Sequence, residues 1–422
     1  MNYFVSLQKI AITPDMSVRN FLLFTLAFCP LILMGQEVGK ESRQAEHIFT
    51  LLLEDQTDSL FAAMSEDIRK QLSRQQMDGT MKQLEQMLGP YQRHGEWEHQ
   101  QGDKHDTFLS IVDFERGQLS FSVTLDQAGL IQGIWLRPIQ PQHAANNMPL
   151  PDDAVELDDT VHTSPDIALP CSIVLSGRSA SPPLVVFVHG SGPLDRNETV
   201  MSNSTFLDLS RQLAEHGISS LRYDKRTLVY QKPVTSMDDE TILDALAAIR
   251  LARAYSSHVI LLGHSLGAML APEIASRSNL DGIIMMAAPA RDLSDVVKEQ
   301  IAYLSMPEVT PEQMQATMDQ LRQQSPHYLE PQNQTEVAQR LATPMLILQG
   351  GRDYQVTMQD FHLWQQVLSG KPQVSFASYP DLNHLFLTGE GKSTPQEYAI
   401  QGTIPQAVID DIIHFINHQT DN

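Results

Sequence analysis

Hydrophobic positions change rhythm along this chain, and each change marks a different kind of element. From about Glu41 to Leu88 they recur at helical spacing: Ile48, Leu51 and Leu52, then Leu60, Phe61 and Met64, then Met77, Met81, Leu84, Met87 and Leu88. Residues three and four apart share one helix face, so this stretch predicts amphipathic helices. Gly89-Pro90 stops the pattern. Apolar side chains then alternate with period two, through Phe108, Val112 and Phe114 and, past Arg116-Gly117, through Leu119, Phe121, Val123 and Leu125. A turn at Gln127-Ala128-Gly129 leads into Ile131, Ile134 and Leu136, completing an antiparallel meander. Helices followed by a meander predict a small α+β domain over residues 36–138, with its methionines and aromatics as core. His94, His99 and His105 fall in a polar, turn-rich stretch and read as surface residues.

Residues 139–153, with Pro141, Pro149 and Pro151 among polar neighbours, read as a linker. Beyond Ala154 short apolar runs alternate with helix-length segments. The strand candidates are Ile173 to Leu175, Leu184 to Val188, Ile218 to Tyr223, Val259 to Leu262, Ile283 to Met286, Met345 to Leu348 and Val374 to Tyr379. Near-continuous apolar strands separated by helices predict a mostly parallel sheet covered on both faces, hence an α/β domain over 154–422. Active sites on such sheets form beyond the carboxyl ends of the strands. Residues 289–343, carrying Ile301, Leu304, Met306, Met314, Met318 and Leu321, form an insertion between two strands and predict a small helical cap.

The run from Phe21 to Met34 is almost wholly apolar, follows Arg19 and ends at Gly35. It is shorter than the roughly 20 residues of a membrane span and suits a signal peptide over residues 1–35. Its basic flank starts near Met16, which suggests initiation there, with export to the periplasm or medium as the expected location. The 422 residues are 42% hydrophobic and 19% charged, a globular balance that excludes collagen-like, coiled-coil and wholly disordered chains. A net charge of −22 argues against nucleic acid and anionic membranes as partners. Two cysteines without CxxC spacing exclude a disulfide scaffold and the usual structural zinc modules, and nothing calls for a cofactor or metal.

The segment Val259-Ile260-Leu261-Leu262-Gly263-His264-Ser265-Leu266-Gly267 places Gly-x-Ser-x-Gly between a strand and a helix. A serine there sits on a sharp elbow with its hydroxyl exposed, while the flanking glycines let strand and helix pass without Cβ clashes. A bare hydroxyl is a weak nucleophile and needs a base and an orienting carboxylate. Asp353 follows the strand Met345 to Leu348 across a Gly-Gly turn, and His384 lies in the loop after the last strand, giving the order Ser265, Asp353, His384. Asp381 is a rival acid three residues before that histidine. The loop Val188-His189-Gly190-Ser191-Gly192 ends an earlier strand, where the Ser191 N–H, paired with that of Leu266, would form an oxyanion hole. His189 reads as structural, and Arg222-Tyr223-Asp224-Lys225-Arg226 as a source of loop-fixing ion pairs.

On these motifs the region from Ala154 to His418 resembles the α/β-hydrolase superfamily. HGSGPLDRNET, LRYDKRT, GHSLGAMLAPEIA, AAPARDL, LQGGRDYQV and PDLNHLF are similar to the EstD-type bacterial carboxylesterases, a group often preceded by a DUF3887-like domain. The resemblance implies cofactor-free hydrolysis of short-acyl carboxylic esters with Ser265, Asp353 and His384 as triad and a small-molecule ester as partner. Ala268 stands where relatives often have a second glycine, and its methyl is expected to narrow the approach to the elbow. A serine aminopeptidase or acyl thioesterase would use the same triad, and a non-catalytic binding protein could keep the same fold.

Overall fold

The computed structural model describes residues 42–69, 77, 80–102, 105–115, 117–138, 149–178, 182–230, 232, 234–305 and 309–420. The signal-peptide reading over 1–35 and most of the linker therefore lie outside the described residues. Residues 42–138 form one compact unit, and 149–303 with 309–420 form the core of another.

In the first unit the predicted helices occupy Ser42–Leu53, Thr57–Ala62, Glu66–Arg69 and Thr80–Leu88. They precede an antiparallel sheet of β1 (Tyr91–His94), β2 (Glu98–Gln100), β3 (His105–Phe114), β4 (Gly117–Asp126) and β5 (Ile131–Pro138). Phe49 from the first helix packs on Phe121 of β4 at a ring separation of 4.8 Å, which joins helix layer to sheet. Within residues 94–105, His99 and His105 are exposed as expected, but much of the stretch expected to be turn is strand. His94 ends β1 and His99 lies in β2, both paired to the backbone of β3. His94 reaches Glu46 at 3.2 Å, and His99 stacks on Phe108 at 4.6 Å. A long β3 supplies the pairing that these short polar strands cannot advertise for themselves.

The second unit is an eight-stranded sheet in the order β15-β14-β13-β12-β8-β11-β7-β6. Its strands are β6 (Ala154–Ser164), β7 (Ile167–Ser176), β8 (Leu184–Val188), β11 (Ser219–Tyr223), β12 (Val259–His264), β13 (Gly282–Met286), β14 (Met345–Gly350) and β15 (Val374–Tyr379); β9 (Thr199–Val200) and β10 (Asn203–Ser204) form a separate hairpin. From β11 to β15 neighbours run parallel, whereas β7 pairs antiparallel with both β11 and β6. The strand β6 was not among the predicted ones, because Val155 and Leu157 point outward between acidic residues and leave no apolar run.

Successive residues of each inner strand enter different cores, as the period of two requires. Leu184, Val186 and Val188 join Leu261, Met285 and Ile347 under the helices Leu243–Ala252, Leu266–Ser276 and Met358–Val367. Val185 and Phe187 join Leu262, Met286 and Leu348 on the other face, under Thr205–Glu215 and Gln406–Thr420. This is the α/β-hydrolase architecture expected from the sequence: helices on both faces of a mostly parallel sheet, with a small α+β body ahead of it. The insertion after β13 is helical, over Leu293–Leu304, Pro311–Gln324 and Gln334–Arg340. Strand order reverses about β8 and β12, and in open α/β sheets ligands bind beyond the carboxyl ends of the strands at such a point. No helix among the described residues is long and apolar enough to cross a membrane.

Candidate active site

Ser265 occupies the single residue between β12 and the helix Leu266–Ser276, with φ 53° and ψ −116°. A non-glycine residue at positive φ costs energy, and the surroundings must enforce it. Here the Ser265 N–H is tied to the Met286 carbonyl at 2.9 Å, and the elbow is packed so tightly that only glycine fits on either side. A Cβ on Gly267 would lie 2.2 Å from the Val188 carbonyl oxygen and 2.7 Å from that of His189; one on Gly263 would lie 2.4 Å from the Gly267 carbonyl. Gly267→Ala must push the helix away from β8, and it is expected to lower stability by at least ~2 kcal/mol. A thermal melt checks this, with an expected fall in midpoint of roughly 4 °C or more. Ala268, in the first turn of the helix, is fully buried in the apolar cluster beneath it.

Asp353 and His384 arrive on loops after β14 and β15 and meet at 2.7 Å, from Asp353 Oδ2 to His384 Nδ1. The carboxylate is fixed on both oxygens. Oδ1 accepts the backbone N–H groups of Gln355 at 2.8 Å and Val356 at 3.0 Å, and Oδ2 also accepts the Gln349 side chain at 3.2 Å. Because a carboxylate can only accept, Nδ1 carries the hydrogen and Nε2 keeps a free lone pair. Asp381, the rival acid, makes no side-chain hydrogen bond to His384 among the described residues; its backbone carbonyl accepts from Gly389. The two loops are braced from behind. Glu397 takes both Arg352, next to Asp353, and Asn383, next to His384, while the Asn383 side chain accepts the N–H groups of Leu385 and Leu387.

Ser265 makes no hydrogen bond to His384 among the described residues. Its neighbour His264 nevertheless anchors the imidazole's loop: the His264 ring lies 4.7 Å from that of His384, and its Nε2 donates to the His384 carbonyl at 2.8 Å. The other ring nitrogen, Nδ1, lies 3.1 Å from Glu198 Oε1. Burial pushes the His264 pKa down, but the Glu198 carboxylate outweighs it and holds the value above the ordinary one. Both residues are almost wholly buried.

Glu198 also accepts the Gly190 N–H at 2.8 Å, and the ideal Cβ position on Gly190 lies 3.3 Å from Ser265 Cβ. The His-Gly loop therefore runs directly against Ser265. With the Gly190 amide occupied, that of Ser191 is the next one free to serve an oxyanion, alongside that of Leu266, which as the first residue of its helix has no intrahelical acceptor. His189 is buried, its Nε2 facing the Asp195 carbonyl at 3.0 Å. Burial pushes its pKa down to about 4, so it is neutral and structural at neutral pH. The predicted ion pairs after β11 are present as Arg222 with Glu156, Lys225 with Glu240 and Arg226 with Asp244.

The sequence reading did not include Glu198, Glu240, Gln349, Asn383 or Glu397. Glu198, Gln349 and Asn383 lay inside the quoted motifs without a role assigned to them, although Gln349 is only four residues from Asp353; Glu240 and Glu397 lay outside those motifs, and Glu240 meets His327 87 residues later. Among the described residues no group of three or more histidine, cysteine or carboxylate side chains is placed to hold a metal.

The profile described as Alpha/beta hydrolase family matches residues 185–400, and that described as Protein of unknown function (DUF3887) matches residues 45–134. Esterase EstD of Thermotoga maritima is 34% identical over 411 residues, which cover 92% of this chain and 98% of that protein. Among solved structures, the Pyrococcus furiosus esterase Pf2001 aligns with 63% of this chain and 91% of its own, at 17% identity and a TM-score of 0.48. Est1E from Butyrivibrio proteoclasticus aligns with 63% of this chain and 99% of its own, at 14% identity and a TM-score of 0.42. With one profile spanning the elbow and both loops behind it, and a relative similar over nearly its full length, the chain belongs to the α/β-hydrolase family as an EstD-type member carrying a DUF3887 domain in front.

Proposed function

We propose that the protein is a serine carboxylesterase that hydrolyses short-acyl carboxylic esters through an acyl-enzyme on Ser265, acting after export directed by residues 1–35. The observation that carries this reading is the 2.7 Å contact of Asp353 with His384, two loops that meet beside a serine held at positive φ. His384 Nε2 takes the Ser265 proton as Oγ bonds to the ester carbonyl carbon, and the carbonyl oxygen becomes an oxyanion facing the N–H groups of Ser191 and Leu266. Collapse breaks the bond to the alcohol, which leaves with the proton from His384. Water repeats the sequence in reverse roles, releasing the acid and regenerating the hydroxyl. Hydrogen bonds of such sites often form fully only when substrate binds, so the lack of one between Ser265 and His384 among the described residues is compatible with this route.

Esterase EstD, similar over nearly its whole length, supports an ester as the substrate class in preference to a thioester or peptide. A butyrate ester of p-nitrophenol should release a burst of nitrophenolate, and acid-quenched digests should carry one butyryl group on the peptide containing Ser265. Turnover without mass on that peptide would remove the acyl-enzyme; faster turnover of matched thioester or aminoacyl amide substrates would remove the ester assignment.

A further inference from the structure

Beside the triad lies a buried cation with no role in proton transfer. Lys225, 2% exposed, directs its ammonium at the Gly190 carbonyl oxygen at 2.7 Å and at Glu240 Oε1, also at 2.7 Å. Glu240, equally buried, is further held by the Tyr328 hydroxyl at 2.7 Å and by His327 Nε2 at 2.9 Å, both from the insertion after β13. Burial opposes ionisation of this carboxyl, but the Lys225 ammonium and these hydrogen bonds overcome it and hold its pKa down at about 2. Glu240 therefore stays charged and keeps Lys225 in place. The backbone of Lys225 is fixed as well, its N–H donating to the Leu194 carbonyl at 3.1 Å in the same loop.

Taking the proposed esterase as its basis, the geometry points to Lys225 as the positioning residue of the oxyanion hole. The Gly190 carbonyl and the Ser191 N–H belong to one peptide unit. In a planar trans peptide these groups point in opposite directions, so an ammonium that holds the carbonyl also aims the N–H. Rotation about the flanking bonds is blocked on the preceding side, where Glu198 holds the Gly190 N–H. The same peptide lies against Ser265, whose Cβ is 3.3 Å from the ideal Cβ position on Gly190. A cation on the carbonyl end also polarises the amide, making the N–H a stronger donor to developing negative charge. Lys225 touches neither substrate nor nucleophile and acts wholly through this peptide.

The test uses the full chain, the double variant Lys225→Met/Glu240→Gln, which removes both buried charges together, and a trifluoromethyl ketone as a reversible oxyanion-forming inhibitor. Loss of one oxyanion donor costs about 10²–10³ in turnover, so the variant is expected to lose roughly 30- to 300-fold in kcat, with KM within about threefold and ketone affinity falling in parallel with kcat. A folded variant that keeps kcat and ketone affinity within about threefold of wild type would overturn the assignment and leave Lys225 a structural ion pair. Should the variant not fold, a crystal structure of wild-type protein inactivated with a fluorophosphonate decides. The expected adduct has the phosphonyl oxygen within roughly 3.1 Å of Ser191 N while Lys225 still holds the Gly190 carbonyl. An adduct on Ser265 with that peptide turned away refutes the role of Lys225, whereas failure of Ser265 to react at all refutes the esterase reading instead.

Discussion

Ser265→Ala is expected to lower kcat on a butyrate ester by about 10⁴–10⁶, with KM within a few-fold of wild type. The expectation follows from where the hydroxyl sits. The elbow holds one side chain between β12 and its helix, and no other hydroxyl shares that position. Binding surface and oxyanion donors survive the substitution, because Leu266 and Ser191 contribute backbone N–H groups that a missing Oγ does not disturb. What remains should be the weak water reaction assisted by those donors. The measurement is steady-state kinetics on protein expressed free of wild-type carry-over. A loss below tenfold would mean that another group performs the attack.

The second large effect is expected of Asp353→Asn, about 10⁴ in kcat with substrate binding retained. The hydrogen bonds around this residue dictate the outcome. Oδ1 accepts two backbone N–H groups, from Gln355 and Val356, and an amide can satisfy them only with its oxygen. The new NH₂ must then face His384 Nδ1 and the Gln349 side chain. A donor aimed at Nδ1 forces that nitrogen to accept, the ring proton moves to Nε2, and the lone pair needed for Ser265 is lost. Shape and volume barely change, so folding should be nearly preserved. Kinetics at pH 7 together with a thermal melt check both halves of the statement. A large loss of stability with modest loss of kcat would contradict it.

Much of the catalytic architecture was legible because it depends on local pattern. Strands such as Leu184–Val188 and Met345–Gly350 are buried on both faces and read as unbroken apolar runs. Ser265 and Asp353 follow such runs, while His384 follows β15, a partly exposed edge strand of mixed polarity, so strand ends delivered all three to one rim. The strands that escaped, β1, β2 and β6, are polar and partly exposed, and are strands because a neighbour's backbone pairs with them. The clamps around the site escaped for a related reason. Lys225 could be read as an ion-pair residue, but its partner Glu240 could not, since that carboxylate is met again by His327 87 residues later; Glu198 likewise is where His264 and Gly190, from two different strand ends, converge. Spacing along a chain carries no trace of such convergence; folding creates it.

Among the described residues the outermost strand, β6, pairs only with β7, and it carries Val155 and Leu157 exposed on one face. An open border of this kind invites a second molecule to add its own backbone. The same strand carries Glu156, Asp158 and Asp159, and a copy stacked alongside would bring these carboxylates within about 5 Å of like charge. Arginines 196, 211 and 222 neutralise part of that charge from within, yet Asp158 stays largely open to water. Like charge along this rim thus opposes the backbone pairing that the open edge would otherwise allow.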